Sequence, residues 1–197
     1  MWSFKSFKIN RLIKKLKSMQ QSRIHNQPSE ESLKKEIQGY YKLVSIYQPL
    51  IGKKKYPFAQ QMILECYRAA ANIDDTNSYF LLGKNLLDEA KFREDLQKNS
   101  VFASDSNLRQ MTELYKEAHA YLLAAENLKH ISAKRLRGLC FINGWGVESD
   151  KKIGFELIVE SIEQENSWDK VPQIFASMGL NKPEFFSALT QLRNNKA

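Results

Sequence analysis

The chain has 197 residues, 43% hydrophobic and 26% charged, which fits one globular unit with a core of its own and excludes a disordered chain, a collagen-like fibre and a disulfide scaffold. The net charge of +8 is unevenly placed: residues 1 to 29 hold Lys5, Lys8, Arg11, Lys14, Lys15, Lys17 and Arg23 and no acidic residue. The other 168 residues carry 23 Lys and Arg against 22 Asp and Glu, a near balance that argues against nucleic-acid binding by the body of the protein.

Residues 1 to 28 read as a basic amphipathic arm and linker. At 100° per residue, Trp2, Ile9, Leu12, Ile13, Leu16 and Met19 share one face, while Arg11, Lys14, Lys15 and Lys17 occupy the remainder; Lys5 falls on the apolar face, and Phe4 and Phe7 fall off it. The polar run that follows ends in Pro28, and Ser29 with Glu30 and Glu31 opens a new helix. Three uses of the arm stay open. It docks on an anionic membrane surface through residues 1–19, or on a partner, with Trp2, Lys8, Ile9, Arg11, Leu12, Ile13 and Leu16 as the contact residues. It packs on its own domain or frays. Or residues 1–25 are a mitochondrial presequence, although such peptides favour Arg and Ser over the Lys found here. No run approaches the roughly 18 apolar residues of a membrane span. Cys66 and Cys140, without CxxC spacing or a secretory leader, fit a reducing, cytoplasmic setting that is soluble or peripheral at a membrane.

Residues 29–197 read as an α-helical repeat domain. Leu33, Ile37, Tyr40, Tyr41, Val44 and Tyr47 recur at helical spacing until Pro49 and Gly52. Pro57 opens a second helix through Met62, Ile63, Cys66, Tyr67 and Ala70, and residues 73 to 77 are a turn. A third helix runs from Tyr79 to about Leu96, residues 98 to 107 form a loop, and Met111 to Ala125 is a fourth helix. Shorter helices are expected at about 132–143, 150–164, 168–178 and 183–193.

Within residues 133 to 152 small and turn-forming residues stand at purposeful offsets. Gly138 admits a neighbouring helix, Gly144 and Gly146 end one helix and turn the chain, Val147 plugs the corner, and Asp150 caps the next helix. With Ala133, Phe141, Asn143 and Lys152 in the same register, this segment resembles the Sel-one-like repeat family, helical relatives of the tetratricopeptide repeat. The best match covers residues 133–166, and a degenerate repeat covers about 76–128, with Ser78, Leu82, Gly83 and Leu86 in its first helix and Tyr121, Ala124, Ala125 and Glu126 in its second. Arg137 in place of Leu, Gly154 in place of Ala and Ser161-Ile162 in place of Ala-Ala depart from the family pattern. The resemblance implies an all-α fold, a short αα-hairpin solenoid with an N-terminal amphipathic helix. It also implies an adaptor or scaffold in protein complexes, including bacterial secretion and signalling systems.

Convergent chemistry is missing from the sequence. His25, His119 and His130 lack a second metal ligand at i+4, Cys66 and Cys140 sit on apolar helix faces, and no phosphate-binding glycine loop occurs. The expectation is a binding protein and not an enzyme, with no catalytic residue, cofactor or metal. Lys129, Lys134, Arg135 and Arg137 form a basic patch, of which Lys134, Arg135 and Arg137 are the candidate contacts for an acidic segment of a protein partner. Arg137, standing at a core-type position, is expected to face a groove or partner. Trp168, Phe175, Phe185 and Phe186 are expected near the surface, capping the last repeat. Nucleic-acid association through the basic arm is the alternative, weakened because stacking aromatics are confined to Trp2, Phe4 and Phe7.

Overall fold

A computed structural model describes residues 4–99, 103–180 and 182–196. The protein is all-helical, with no strand among the described residues. No helix among them is long and apolar enough to cross a membrane. The chain divides into two compact units, Met1–Tyr79 and Phe80–Ala197, so the basic arm belongs to the first.

The first unit contains α1 (Phe4–His25), α2 (Glu30–Tyr47), α3 (Ala59–Ala71) and the first turn of α4 (Thr76–Lys98). The α2 helix starts where Ser29 Oγ accepts the Ser32 N–H at 3.2 Å. Glu30 and Glu31 complement the positive end of the helix and pair one turn on with Lys34 and Lys35. Buried Leu43, Val44 and Tyr47 of α2 and Ile63, Cys66 and Tyr67 of α3 supply the apolar layer between these helices. Asp75 starts α4, accepting the Ser78 N–H at 2.9 Å, and also accepts the Tyr41 hydroxyl at 2.6 Å, which fastens that turn to α2.

The second unit holds the rest of α4, then α5 (Asp105–Asn127), α6 (Ile131–Asn143), α7 (Lys151–Glu165), α8 (Val171–Ser177) and α9 (Pro183–Lys196). Its helices approach one another where side chains are absent. A Cβ on Gly83 of α4 would lie 2.9 Å from Leu122 Cγ of α5. A Cβ on Gly138 of α6 would lie 2.6 Å from the Gly154 carbonyl of α7, and one on Gly154 would lie 2.6 Å from the Gly138 carbonyl. Gly154 is therefore a second requirement of the contact. Between the helices Gly144, at φ +71°, closes α6 in the left-handed conformation, and Asp150 accepts the Ile153 N–H at 3.0 Å to start α7. Gly146 sits against α5, where a Cβ would come within 2.1 Å of the Tyr115 carbonyl.

Buried Phe155, Ile158, Val159 and Ile162 of α7 form one core with Val171, Phe175, Leu180 and Leu189. The C-terminal aromatics close this core. Phe175 is fully buried and not near the surface as expected, its ring 5.1 Å from that of Phe186, while Phe185 lies 5.7 Å from Phe155.

Candidate docking surfaces

The arm is built into its unit by residues at i, i+7, i+11 and i+14 of α1. Ile9 and Leu16 are buried, and Leu16 lies over Gly39 of α2, where a Cβ would meet its Cδ2 at 2.6 Å. Below them Gln20 donates to the Tyr40 hydroxyl at 2.8 Å, Tyr40 donates to Glu36 at 3.0 Å, and Arg23 Nε donates to Glu36 at 3.3 Å. Glu36 is 1% exposed, so its charge is held in the interior by Arg23 and the Tyr40 hydroxyl. Burial, with the neighbouring Glu36, pushes the Tyr40 hydroxyl well above the usual tyrosine range.

Of the arm residues expected to make contacts, Ile9 and Leu16 face inward, Leu12 and Ile13 are half-buried, and Lys8 and Arg11 are exposed. Trp2 lies outside the described residues. The apolar stripe that suggested membrane docking is thus largely occupied by α2. What stays accessible is a groove of about 370 Å³ between α1 and α2. Half-buried Leu12 and Ile46 line it together with exposed Lys8, Arg11 and Lys15 from α1 and Lys42 from α2. No carboxylate lines it among the described residues.

Lys42, Ile46, Glu36 and Gly39 were missed by the sequence reading. Gly39 carried the available signal, a glycine inside an otherwise regular helix, which costs helix propensity unless another element comes close.

The second expected surface has a different character. Lys134 pairs with Glu160 at 3.0 Å, Arg135 pairs with Glu165 and donates to Ser161 Oγ at 3.1 Å, and Arg137 pairs with Glu126. The acidic side of α7 thus meets the basic side of α6 within the same hairpin. Arg137 departs from expectation: its side chain is 14% exposed and its guanidinium lies 5.5 Å from the Phe141 ring centroid. Glu126 and the ring face accommodate the Arg137 guanidinium at this largely buried position. Ser161 is fully buried and holds Arg135.

A third concavity, about 520 Å³, opens at the α6–α7 turn and is lined by Glu94, Tyr115, Trp145, Gly146 and Glu148 among others. The Trp145 ring stacks on Tyr115 at 5.7 Å and 3°, with Lys91 Nζ 4.4 Å from its centroid. Tyr115 donates to Glu94 at 2.5 Å. Burial would raise the Glu94 carboxyl, but hydrogen bonds from Lys98, Tyr115 and Trp145 hold it below its ordinary value. These groups satisfy one another and fix the turn.

Among the described residues no reactive groups are grouped as metal ligands, and both cysteines are buried. Burial pushes both Cys66 and Cys140 up to about 12, leaving the thiols protonated and inert at neutral pH. His119 stands edge-on to Phe141 at 5.6 Å, and burial followed by the Arg137 charge lowers its pKa. His130 caps α6, its Nδ1 accepting the Ala133 N–H at 3.2 Å, and stacks on Phe80 at 4.3 Å. Among the described residues no three His, Cys, Asp or Glu side chains are grouped to hold a metal ion.

No family model matches the chain, and no curated protein or solved structure matches it.

Proposed function

We propose that the protein is a non-enzymatic helical-repeat adaptor, resembling Sel-one-like proteins, that works by presenting surfaces to a protein partner. The observation that carries this reading is the α6–α7 hairpin, in which Gly138 and Gly154 bring two backbones together and Gly144, Gly146 and Asp150 set the turn. Hairpins of this kind bury one face against neighbours and leave others for recognition. Titratable groups support the same reading, because those with shifted pKa values are tied into capping, packing or internal ion pairs.

Attachment to a membrane by inserting Ile9 and Leu16 is the less economical use of the arm, since α1 would have to leave α2 and expose the Glu36 network. The test is chemical crosslinking of the full chain in its native lysate, followed by purification and mass spectrometry. A protein recovered in near-stoichiometric amount supports the adaptor; recovery of the chain alone rejects it.

A further inference from the structure

We infer that residues 51–58, in the loop joining α2 to α3, are a docking site for an anionic lipid bilayer surface. The lipid contact is independent of any protein partner and so goes beyond the adaptor reading.

Local sequence fixes this loop and leaves its tip in solvent. Leu50 and Ala59, each 2% exposed, anchor its two ends in the first unit. Pro49 and Pro57 restrict the backbone on either side. Gly52 turns the chain at φ +76°, where a Cβ would meet nothing within 4 Å. The N–H groups of Lys53 and Tyr56 return to the Leu50 and Lys53 carbonyls at 3.1 and 2.8 Å. Within this ordered turn Ile51 is 46% exposed and Phe58 68% exposed. Because the turn is set before contact, docking costs little further chain entropy.

Charge defines the occupant. Lys53, Lys54 and Lys55 lie between Ile51 and Phe58, all three exposed, and none of residues 37–64 is acidic. Lys55 Nζ lies 5.9 Å from the Tyr56 ring centroid, and no carboxylate pairs with any of the three lysines among the described residues. Elsewhere in the same unit Lys34 and Lys35 are each paired with a glutamate one turn away. The loop therefore presents three cations without a carboxylate, flanked by two apolar side chains.

The kind of cation and of apolar group selects among anionic partners. All the cations here are lysines. Lysine is a strongly hydrated point charge on a long aliphatic stem, suited to a diffuse anionic plane along which the stem can lie. Specific protein interfaces are depleted in lysine and favour arginine, and arginine forks are the preferred readers of nucleic-acid phosphates. Ile51 has no π-face for a base to stack on, and Tyr56 is half-buried. An anionic bilayer uses both parts of the loop: the lysines meet the headgroup charge, while Ile51 and Phe58 enter the boundary between headgroups and acyl chains.

The experiment is co-sedimentation of the purified full chain with vesicles of 30% phosphatidylserine in phosphatidylcholine at about 0.1 M salt. Folding of each variant is verified by circular dichroism and urea midpoint. Lys53→Gln/Lys54→Gln/Lys55→Gln is expected to weaken binding at least tenfold, and Ile51→Ser/Phe58→Ser at least fivefold. The charge-matched variant Lys14→Gln/Lys15→Gln/Lys17→Gln, which changes exposed residues of α1, is expected to bind within threefold of wild type. Vesicles of phosphatidylcholine alone should bind at least tenfold more weakly. Equal loss in the α1 variant would assign binding to net charge and overturn the loop. Wild-type binding by Ile51→Ser/Phe58→Ser would overturn its insertion, and absence of vesicle binding would overturn the proposal outright. So would tighter binding to a 20-nucleotide oligo-dT or a 20-residue poly-glutamate than to the vesicles, lost in the loop lysine variant. The two readings fail separately, since vesicle binding by the pure chain tests the loop and crosslinking in lysate tests the adaptor.

Discussion

Gly138 and Gly154 face each other so closely that a Cβ on either would lie 2.6 Å from the carbonyl oxygen of the other. The obstruction is backbone on both sides, so no rotamer change relieves it. A helix-interior Gly→Ala change ordinarily gains about 1 kcal/mol of propensity. Overpacking costs on the order of 1–3 kcal/mol, and a rigid neighbour puts this site at the upper end. Gly138→Ala is thus expected to destabilise the protein by about 2 kcal/mol net, read as a lowered urea midpoint with unchanged slope. Gly39→Ala is the contrast. Its new methyl meets only the movable end of Leu16, and a change within about 1 kcal/mol of wild type is expected.

The Arg23–Glu36 pair makes a second prediction because its two ends differ in solvation. The Glu36 side chain is 2% exposed and that of Arg23 27%. Removing the arginine leaves a buried carboxylate with the Tyr40 hydroxyl as its remaining donor. Arg23→Met is expected to cost about 2–3 kcal/mol, below the full value for breaking a buried pair because water reaches the Arg23 side. The double variant Arg23→Met/Glu36→Met is expected to recover much of that loss, which a double-mutant cycle on chemical denaturation measures. Proteolysis adds a local readout: in Arg23→Met, cleavage should appear first near residues 25 to 29, as α1 loosens from α2.

These two sites also show how far the sequence carries. The α6–α7 hairpin was legible because glycines, a β-branched residue and a capping aspartate lie within one stretch, and local backbone demands are written locally. Gly154 read as a departure until its partner across the hairpin was visible. The α1–α2 contact was legible as an apolar stripe, Ile9 to Leu16, but the same stripe serves a membrane, a partner or the protein's own next helix. Gly39, Tyr40 and Glu36 on α2 show where Leu16, Gln20 and Arg23 pack, and no spacing rule joins Arg23 to Glu36 across a chain reversal. The pairing of the α6 charges was not legible for a related reason: Arg137 and Glu126 are eleven residues apart, a separation that composition does not connect.

The cysteines make a prediction about reactivity. With both thiols buried and raised to about 12, the thiolate fraction at pH 7.5 is very small. Lys91 and Arg137 pull Cys140 the other way, but its burial dominates. The native protein is expected to consume less than a tenth of an equivalent of Ellman's reagent in the time in which urea-unfolded protein consumes two. Rapid native labelling of Cys140 would show that the α5–α6 packing opens readily.

The histidines set the pH dependence between about pH 5.5 and 7.5, above the range where carboxylates titrate. His119 and His130 both have pKa values lowered from 6.5 in the folded chain, each chiefly by burial, and His119 also by the Arg137 charge. A group held below its unfolded value binds fewer protons when folded, so its stabilisation is fully present above the unfolded pKa. It is then lost as pH falls from about 6.5 through the lowered folded value. At His130 the loss has a structural form, since protonating Nδ1 removes the acceptor for the Ala133 N–H at the start of α6. The urea midpoint of the wild type should therefore fall between pH 7.5 and 5.5. His130→Asn keeps a capping oxygen that does not titrate in this range, and His119→Gln removes the second proton site. The double variant should show a flattened pH profile, and an unchanged slope would place the titration in other groups.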